Sequence, residues 1–164
     1  MDDGVRAPVY SAGNALLHTL RASMKLEVPA DKRLIHTMLV PIRWGDMDAM
    51  GHVNNTIYLR YMECARIQLM EGSGFAVNPV GEGFVIANVF CNFIRQLEYP
   101  GEVLVKSHVG AIGRSSFDLY HELLRSDDTG GSVYANGGAT MVWLDFPKQK
   151  SLPMPEGLRQ WLIG

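Results

Sequence analysis

Asp46 and Asp48 stand two residues apart in the run Arg43-Trp44-Gly45-Asp46-Met47-Asp48-Ala49-Met50-Gly51-His52-Val53-Asn54-Asn55. That run lies directly ahead of an apolar stretch that reads as a helix from Thr56 to about Glu71. A carboxylate aimed at a helix N-terminus meets N–H donors that have no intrahelical acceptor, together with the positive end of the macrodipole. Such a pairing supplies a nucleophile or general base and a place for negative charge to develop. Of the two acids, Asp46 reads as structural, bonding turn amides, while an Asp beside a helix N-terminus is favoured in its charged form, as Asp48 would be. His52 and Asn54 are assigned to the turn or to the substrate side of it.

Other chemistries fit these residues poorly. A calcium loop of the D-x-[DN]-x-[DN]-G type would need oxygen ligands where the chain has Met50 and Ile57. An Asp-x-Asp phosphotransfer site expects an apolar strand running straight into the first acid, but Trp44-Gly45 intervenes. A lone His52 beside two carboxylates is better read as a hydrogen-bonded loop residue than as a ligand, so no metal is expected. Glu71-Gly72-Ser73-Gly74 and Gly113-Arg114-Ser115-Ser116 both fail the G-x-S-x-G elbow of serine hydrolases. Cys64 and Cys91 form no C-x-x-C pair, and Cys64 falls inside the apolar helix as a small hydrophobe. If the chain is a hydrolase, a carboxylate is the better agent.

The elements that must hold Asp48 are legible in the periodicity. Residues 1 to 33 form an extension in which Leu16, Leu17, Leu20 and Met24 predict a short helix. From residue 34 the period becomes two, and Met38, Val40, Ile42 and Trp44 predict a strand, with Pro41 favouring an edge. The segment Ile57 to Met70 is apolar nearly all round, as an internal helix is, and Gly72 and Gly74 stop it. Four strands follow: Phe84 to Arg95, Val103 to Ala111, Ser116 to Arg125 and Val133 to Asp145, joined mainly by short turns. Residues 147 to 164 form a tail with a closing turn at Leu158, Trp161 and Leu162. The order predicts an α+β domain over 34 to 146, an antiparallel sheet wrapped around one long central helix. Because such a sheet covers only one side of the helix, a homo-oligomer is expected.

Composition narrows the partners. The 164 residues carry a net charge of −2, from 15 basic and 17 acidic side chains, which argues against a nucleic-acid surface. No apolar run approaches a membrane span, and no targeting segment is evident, so a cytoplasmic location is expected.

The run Arg43-Trp44-Gly45-Asp46-x-Asp48-x-x-Gly51-His52-Val53-Asn54-Asn55-x-x-Tyr58-Leu59-x-Tyr61-x-Glu63-x-Ala65-Arg66 resembles the signature of the 4-hydroxybenzoyl-CoA thioesterase family. Its His-Val-Asn-Asn form is most similar to the broad acyl-CoA thioesterase branch. The resemblance implies the hotdog fold, with dimers or tetramers binding coenzyme A thioesters between subunits. It implies hydrolysis of an acyl-CoA to a carboxylic acid and CoA, with no cofactor beyond the CoA of the substrate. By position it makes Asp48 the catalytic carboxylate, as nucleophile or as base on water, and the Asn55 N–H the group that polarises the thioester carbonyl. His52, Val53, Asn54 and Tyr58 then fall on the substrate side, and Arg114 and Ser116 where relatives contact coenzyme A. Some members place a His where this chain has Asn55, so an Asp–His pair is not expected here. The alternative is a non-catalytic acyl-CoA or acyl-carrier-protein binder using the same groove.

Overall fold

The computed structural model describes residues 26–75 and 80–164. Alternating side chains from Arg33 to Pro41 form strand β1, and Trp44–Asp46 make one turn of 3₁₀ helix before helix α1, Asn55–Gly72. Strands β2 (Glu82–Phe93), β3 (Glu102–Ile112), β4 (Ser116–Arg125) and β5 (Val133–Asp145) follow. A short β6 (Lys150–Ser151) and helix α2 (Glu156–Ile163) close the chain. The strands pair antiparallel in the order β1-β3-β4-β5-β2, with β6 added to β5. This is the hotdog architecture, one long helix enfolded by the sheet.

Several expectations need correction. Trp44 does not continue the first strand; the ladder ends at Pro41, opposite Glu102, and Trp44 lies 79% exposed in the 3₁₀ turn. Proline removes the ladder donor, and the carboxylate of Asp46 draws the next residues into a turn by accepting the Arg43 N–H at 2.9 Å. The turn at Glu98 to Gly101 is not a hairpin. It carries the chain from β2, at one edge of the sheet, across to β3, while β2 itself pairs with β5. Helix α1 is not apolar on every exposed side: Thr56, Arg60 and Gln68 face outward beside Ile67. The closing turn is a helix, α2, whose Leu158 and Leu162 are fully buried. The helix expected around Leu16 to Met24 lies outside the described residues. Among the described residues no helix is long and apolar enough to cross a membrane.

Helix α1 begins where the Asn54 side chain accepts the Thr56 N–H at 3.0 Å, an N-cap. Its buried face, Tyr58, Tyr61, Met62, Ala65, Arg66, Leu69 and Met70, lies on the inner face of the sheet. One cross-sheet row beneath it runs His36, Ser107, His121, Gly137 and Cys91. Glycine at 137 is required by this packing, because a β-carbon there would stand 2.2 Å from the Phe90 carbonyl and 2.9 Å from the Met62 methyl. His121 is wholly buried, its Nδ1 3.0 Å from the Ser107 hydroxyl. Burial, followed by the charge of Arg66, pushes its pKa down to about 3.

The folded protein therefore holds His121 neutral at a pH where the unfolded chain binds a proton. Stability is full above the ordinary histidine value of 6.5 and is lost as pH falls from there toward 3. The His121 share of that slope approaches about 1.4 kcal/mol per pH unit. Urea unfolding at a series of pH values should show it, and His121→Gln should flatten it; an unchanged slope would remove His121 from the acid response.

Candidate active site

The loop between β1 and α1 is shaped by its two acids, and they do different things. One carboxylate oxygen of Asp46, Oδ2, accepts the Arg43 N–H at 2.9 Å and the Tyr61 hydroxyl at 2.8 Å, and its carbonyl accepts the Asn54 N–H at 2.8 Å. Asp46 thus ties the loop to the helix, as expected of a structural acid. Desolvation first, and then the bond to Asp46, push the Tyr61 phenol far above its ordinary range.

Asp48 closes the next turn. Its Oδ1 accepts the Met50 N–H at 2.8 Å and the His52 N–H at 3.4 Å. Its own N–H donates to the His52 carbonyl at 2.7 Å, and Gly51 supports the turn at a φ of 80°. The second oxygen, Oδ2, has no partner among the described residues. The side chain is half-buried and lines a cavity of about 660 Å³ with His52, Val53, Asn55 and Tyr58. Asn55 is the first residue of α1, and its N–H has no acceptor among the described residues. An acceptor-rich acid and an unsatisfied helix-terminal donor therefore share one opening.

The other wall was not foreseen. It consists of Phe93, Ile94, Arg95 and Gln96, from the end of β2 and the crossing segment behind it. Leu97 holds this wall against the helix. Its N–H donates to the Tyr58 hydroxyl at 3.0 Å, and its carbonyl accepts the Val53 N–H at 2.8 Å. The Tyr58 ring meets Phe93 edge-on at 5.1 Å. Burial raises the Tyr58 phenol above its ordinary pKa, and the charge of Asp48 adds a smaller push in the same direction. Only tertiary folding brings residues 93 to 96 here, and no local pattern in the sequence marks them. His52 turns its Nε2 to within 3.9 Å of Glu98 Oε1.

Three expected substrate-side residues are not brought to this cavity. Asn54 spends its side chain on the cap, also accepting the Thr56 hydroxyl at 2.8 Å. Arg114 and Ser116 sit at the β3–β4 hairpin, at the far end of β3 from the Asp48 loop. The rise from Glu102 to Ile112 separates the two ends of β3 by about 33 Å when extended. Glu63 pairs with Arg60 at 3.4 Å and not with Arg66, which is buried. Among the described residues no group of three or more His, Cys, Asp or Glu side chains is arranged to hold a metal ion.

Residues 42–162 match the profile of a family described as the thioesterase-like superfamily. The long-chain acyl-CoA thioesterase FadM of Escherichia coli K12 is 26% identical over 125 residues, covering 75% of this chain and 93% of that protein. The solved PA2801 protein of Pseudomonas aeruginosa, a candidate thioesterase, is 35% identical with a TM-score of 0.74, over 78% of this chain and 98% of that one. The BH1999 gentisyl-coenzyme A thioesterase is 25% identical with a TM-score of 0.68, over 77% and 99% respectively.

The Leu97 clamp gives a stability test of this site. Tyr58→Phe leaves a fully buried N–H without its acceptor and should cost about 1–3 kcal/mol in denaturant unfolding. A Tyr58→Phe protein as stable as wild type would show that the bond does not hold the wall.

Proposed function

This chain belongs to the thioesterase-like superfamily and is a thioester hydrolase, and from that footing we propose that it cleaves acyl-CoA thioesters through the Asp48 carboxylate. The observation that carries the reading is the shared cavity, lined both by Asp48, whose Oδ2 has no partner among the described residues, and by Asn55 at the start of α1. Asp48, either directly or by deprotonating a water, delivers an oxygen nucleophile to the thioester carbon. As that bond forms, the carbonyl electrons move onto oxygen, where the Asn55 N–H and the helix terminus stabilise them. Collapse breaks the C–S bond, and the CoA thiolate leaves and takes up a proton, the one Asp48 drew from water on the base route. On the direct route water then attacks the mixed anhydride of Asp48, releasing the acid and a proton and restoring the carboxylate. Asp48 Oδ1 stays anchored on two loop amides throughout, which keeps Oδ2 aimed. Support for CoA as the carrier comes from relatives whose names specify acyl-CoA substrates.

Steady-state hydrolysis of an acyl-CoA panel tests this. Asp48→Asn should lower kcat/KM by at least about a hundredfold, the usual contribution of a positioned acid–base group. Full activity in that variant would remove Asp48 from the mechanism. Tight acyl-CoA binding without turnover at any chain length would instead mark a binding protein.

The same reading extends to assembly. Strand β2 is a 12-residue edge strand with Ile86, Val89 and Phe93 exposed at 43%, 43% and 50%. An open apolar edge of this length is a pairing surface. A second copy laid along β2 would cover it and would bring further groups, such as a hairpin carrying Arg114 and Ser116, toward the thioester site. Val89→Arg should shift the species seen by light scattering from oligomer to monomer and reduce activity with it. An assembly untouched by that change would place the interface elsewhere.

A further inference from the structure

A second cavity neighbours the Asp48 cavity. Gln96 lines both, and the adjoining pocket, about 430 Å³, is walled by Glu98, Tyr99, Pro100, Arg125 and Tyr134. Two arginines stand near this junction, and their surroundings differ. Arg125 is saturated: Asp127 takes two bonds of 2.7 Å, and the carbonyls of Glu98 and Pro100 accept at 2.7 and 2.9 Å. Arg95 has no ion pair and no side-chain hydrogen bond among the described residues. Its guanidinium carbon lies 6.0 Å from the centre of the Tyr134 ring, a cation–π distance. The nearby carboxylates are engaged elsewhere, Glu98 toward His52 and Asp127 on Arg125.

The backbone under Arg95 is fixed as well. The N–H groups of Ile94 and Arg95 both donate to the Tyr134 carbonyl, at 3.0 and 2.8 Å, so two residues oppose one. A bulge of this kind re-aims side chains beside a site. The result is a cation without an ion pair among the described residues, held on a stiff base in the wall of the Asp48 cavity and over Tyr134 of the second pocket. Resting on the thioesterase reading above, we propose that Arg95 binds the phosphate at the end of a phosphopantetheine arm whose thioester end lies at Asp48. Gln96, which lines both pockets, would then stand along the course of the arm. A guanidinium suits this role because it meets phosphate oxygens with two parallel, charge-assisted bonds. Coenzyme A and an acyl carrier protein present the same phosphate at the end of the same arm.

A truncation series tests the assignment. One acyl group is offered on pantetheine, on phosphopantetheine, on coenzyme A and on an acyl carrier protein, to wild type, Arg95→Ala and Arg95→Lys. In Arg95→Ala the ratio of kcat/KM for the phosphopantetheine thioester to that for the pantetheine thioester should fall about ten- to a hundredfold, mainly through KM. Arg95→Lys should recover part of it. An unchanged ratio, or a loss confined to the coenzyme A thioester, would overturn the proposal. The carrier-protein arm shows which source the enzyme accepts. Failure of the hydrolase reading looks different: wild type would then turn over none of the four thioesters, whereas Asp48→Asn leaving all four rates untouched would remove only Asp48 from the mechanism. Equilibrium binding of phosphopantetheine and pantetheine to the Asp48→Asn protein, with and without Arg95→Ala, would still report the phosphate preference of Arg95.

Discussion

Leu97 is the joint on which the site depends. It is fully buried, and both its backbone groups are spoken for, the N–H by the Tyr58 hydroxyl and the carbonyl by the Val53 N–H. Tyr58 belongs to α1, Val53 to the loop that carries Asp48 and Leu97 to the segment crossing from β2 to β3. Two hydrogen bonds thus bind three parts of the chain that are distant in sequence. Each is modest alone, but buried bonds are costly to leave unmade, so the three parts keep one arrangement. Without that joint the wall of Phe93 to Gln96 would have no reason to stand opposite Asp48.

Two carboxylates separated by a single residue end in different chemical conditions. Asp46 is bound on one oxygen by a backbone amide and a phenol, while its carbonyl holds the cap residue of the helix. Asp48 gives one oxygen to loop amides and keeps the other for the cavity. The first acid sets the distance between loop and helix, and Asn54, bound to its carbonyl, caps the helix. The second acid is held by the same short loop, so the position of Asp48 relative to the helix terminus follows from the bonds that Asp46 makes.

Much of this was legible in the sequence because it is local. The helix from Thr56 to about Glu71 and the four later strands follow from spacing, turn residues and period. The structural part of Asp46, bonding turn amides, was legible from its place before the helix, whereas Asn54 was read as a turn or substrate-side residue and is the cap. What was not legible is tertiary. Residues 93 to 96 look like the end of an ordinary strand, and only the crossing to β3 turns them into a wall. The strand order was also hidden, since alternation shows that a segment is a strand and not which neighbour it takes. Trp44 misled because the two-residue period runs through it, while Pro41 and the Asp46 carboxylate had already ended the ladder. Arg114 and Ser116 lie at the opposite end of the sheet from Asp48, a separation that motif position alone does not reveal.

The sheet order has a consequence for how the chain comes to be folded. Strand β2 is made early, yet its only sheet neighbour among the described residues is β5, the last long strand to be synthesised. Until β5 emerges, β2 offers apolar side chains on one face and unpaired amides on both flanks. Closing that pairing requires a long loop to be gathered first, which slows the search and prolongs exposure to other nascent chains. Expression at lower temperature or with abundant chaperone would therefore favour the soluble product at a step that precedes any question of catalysis.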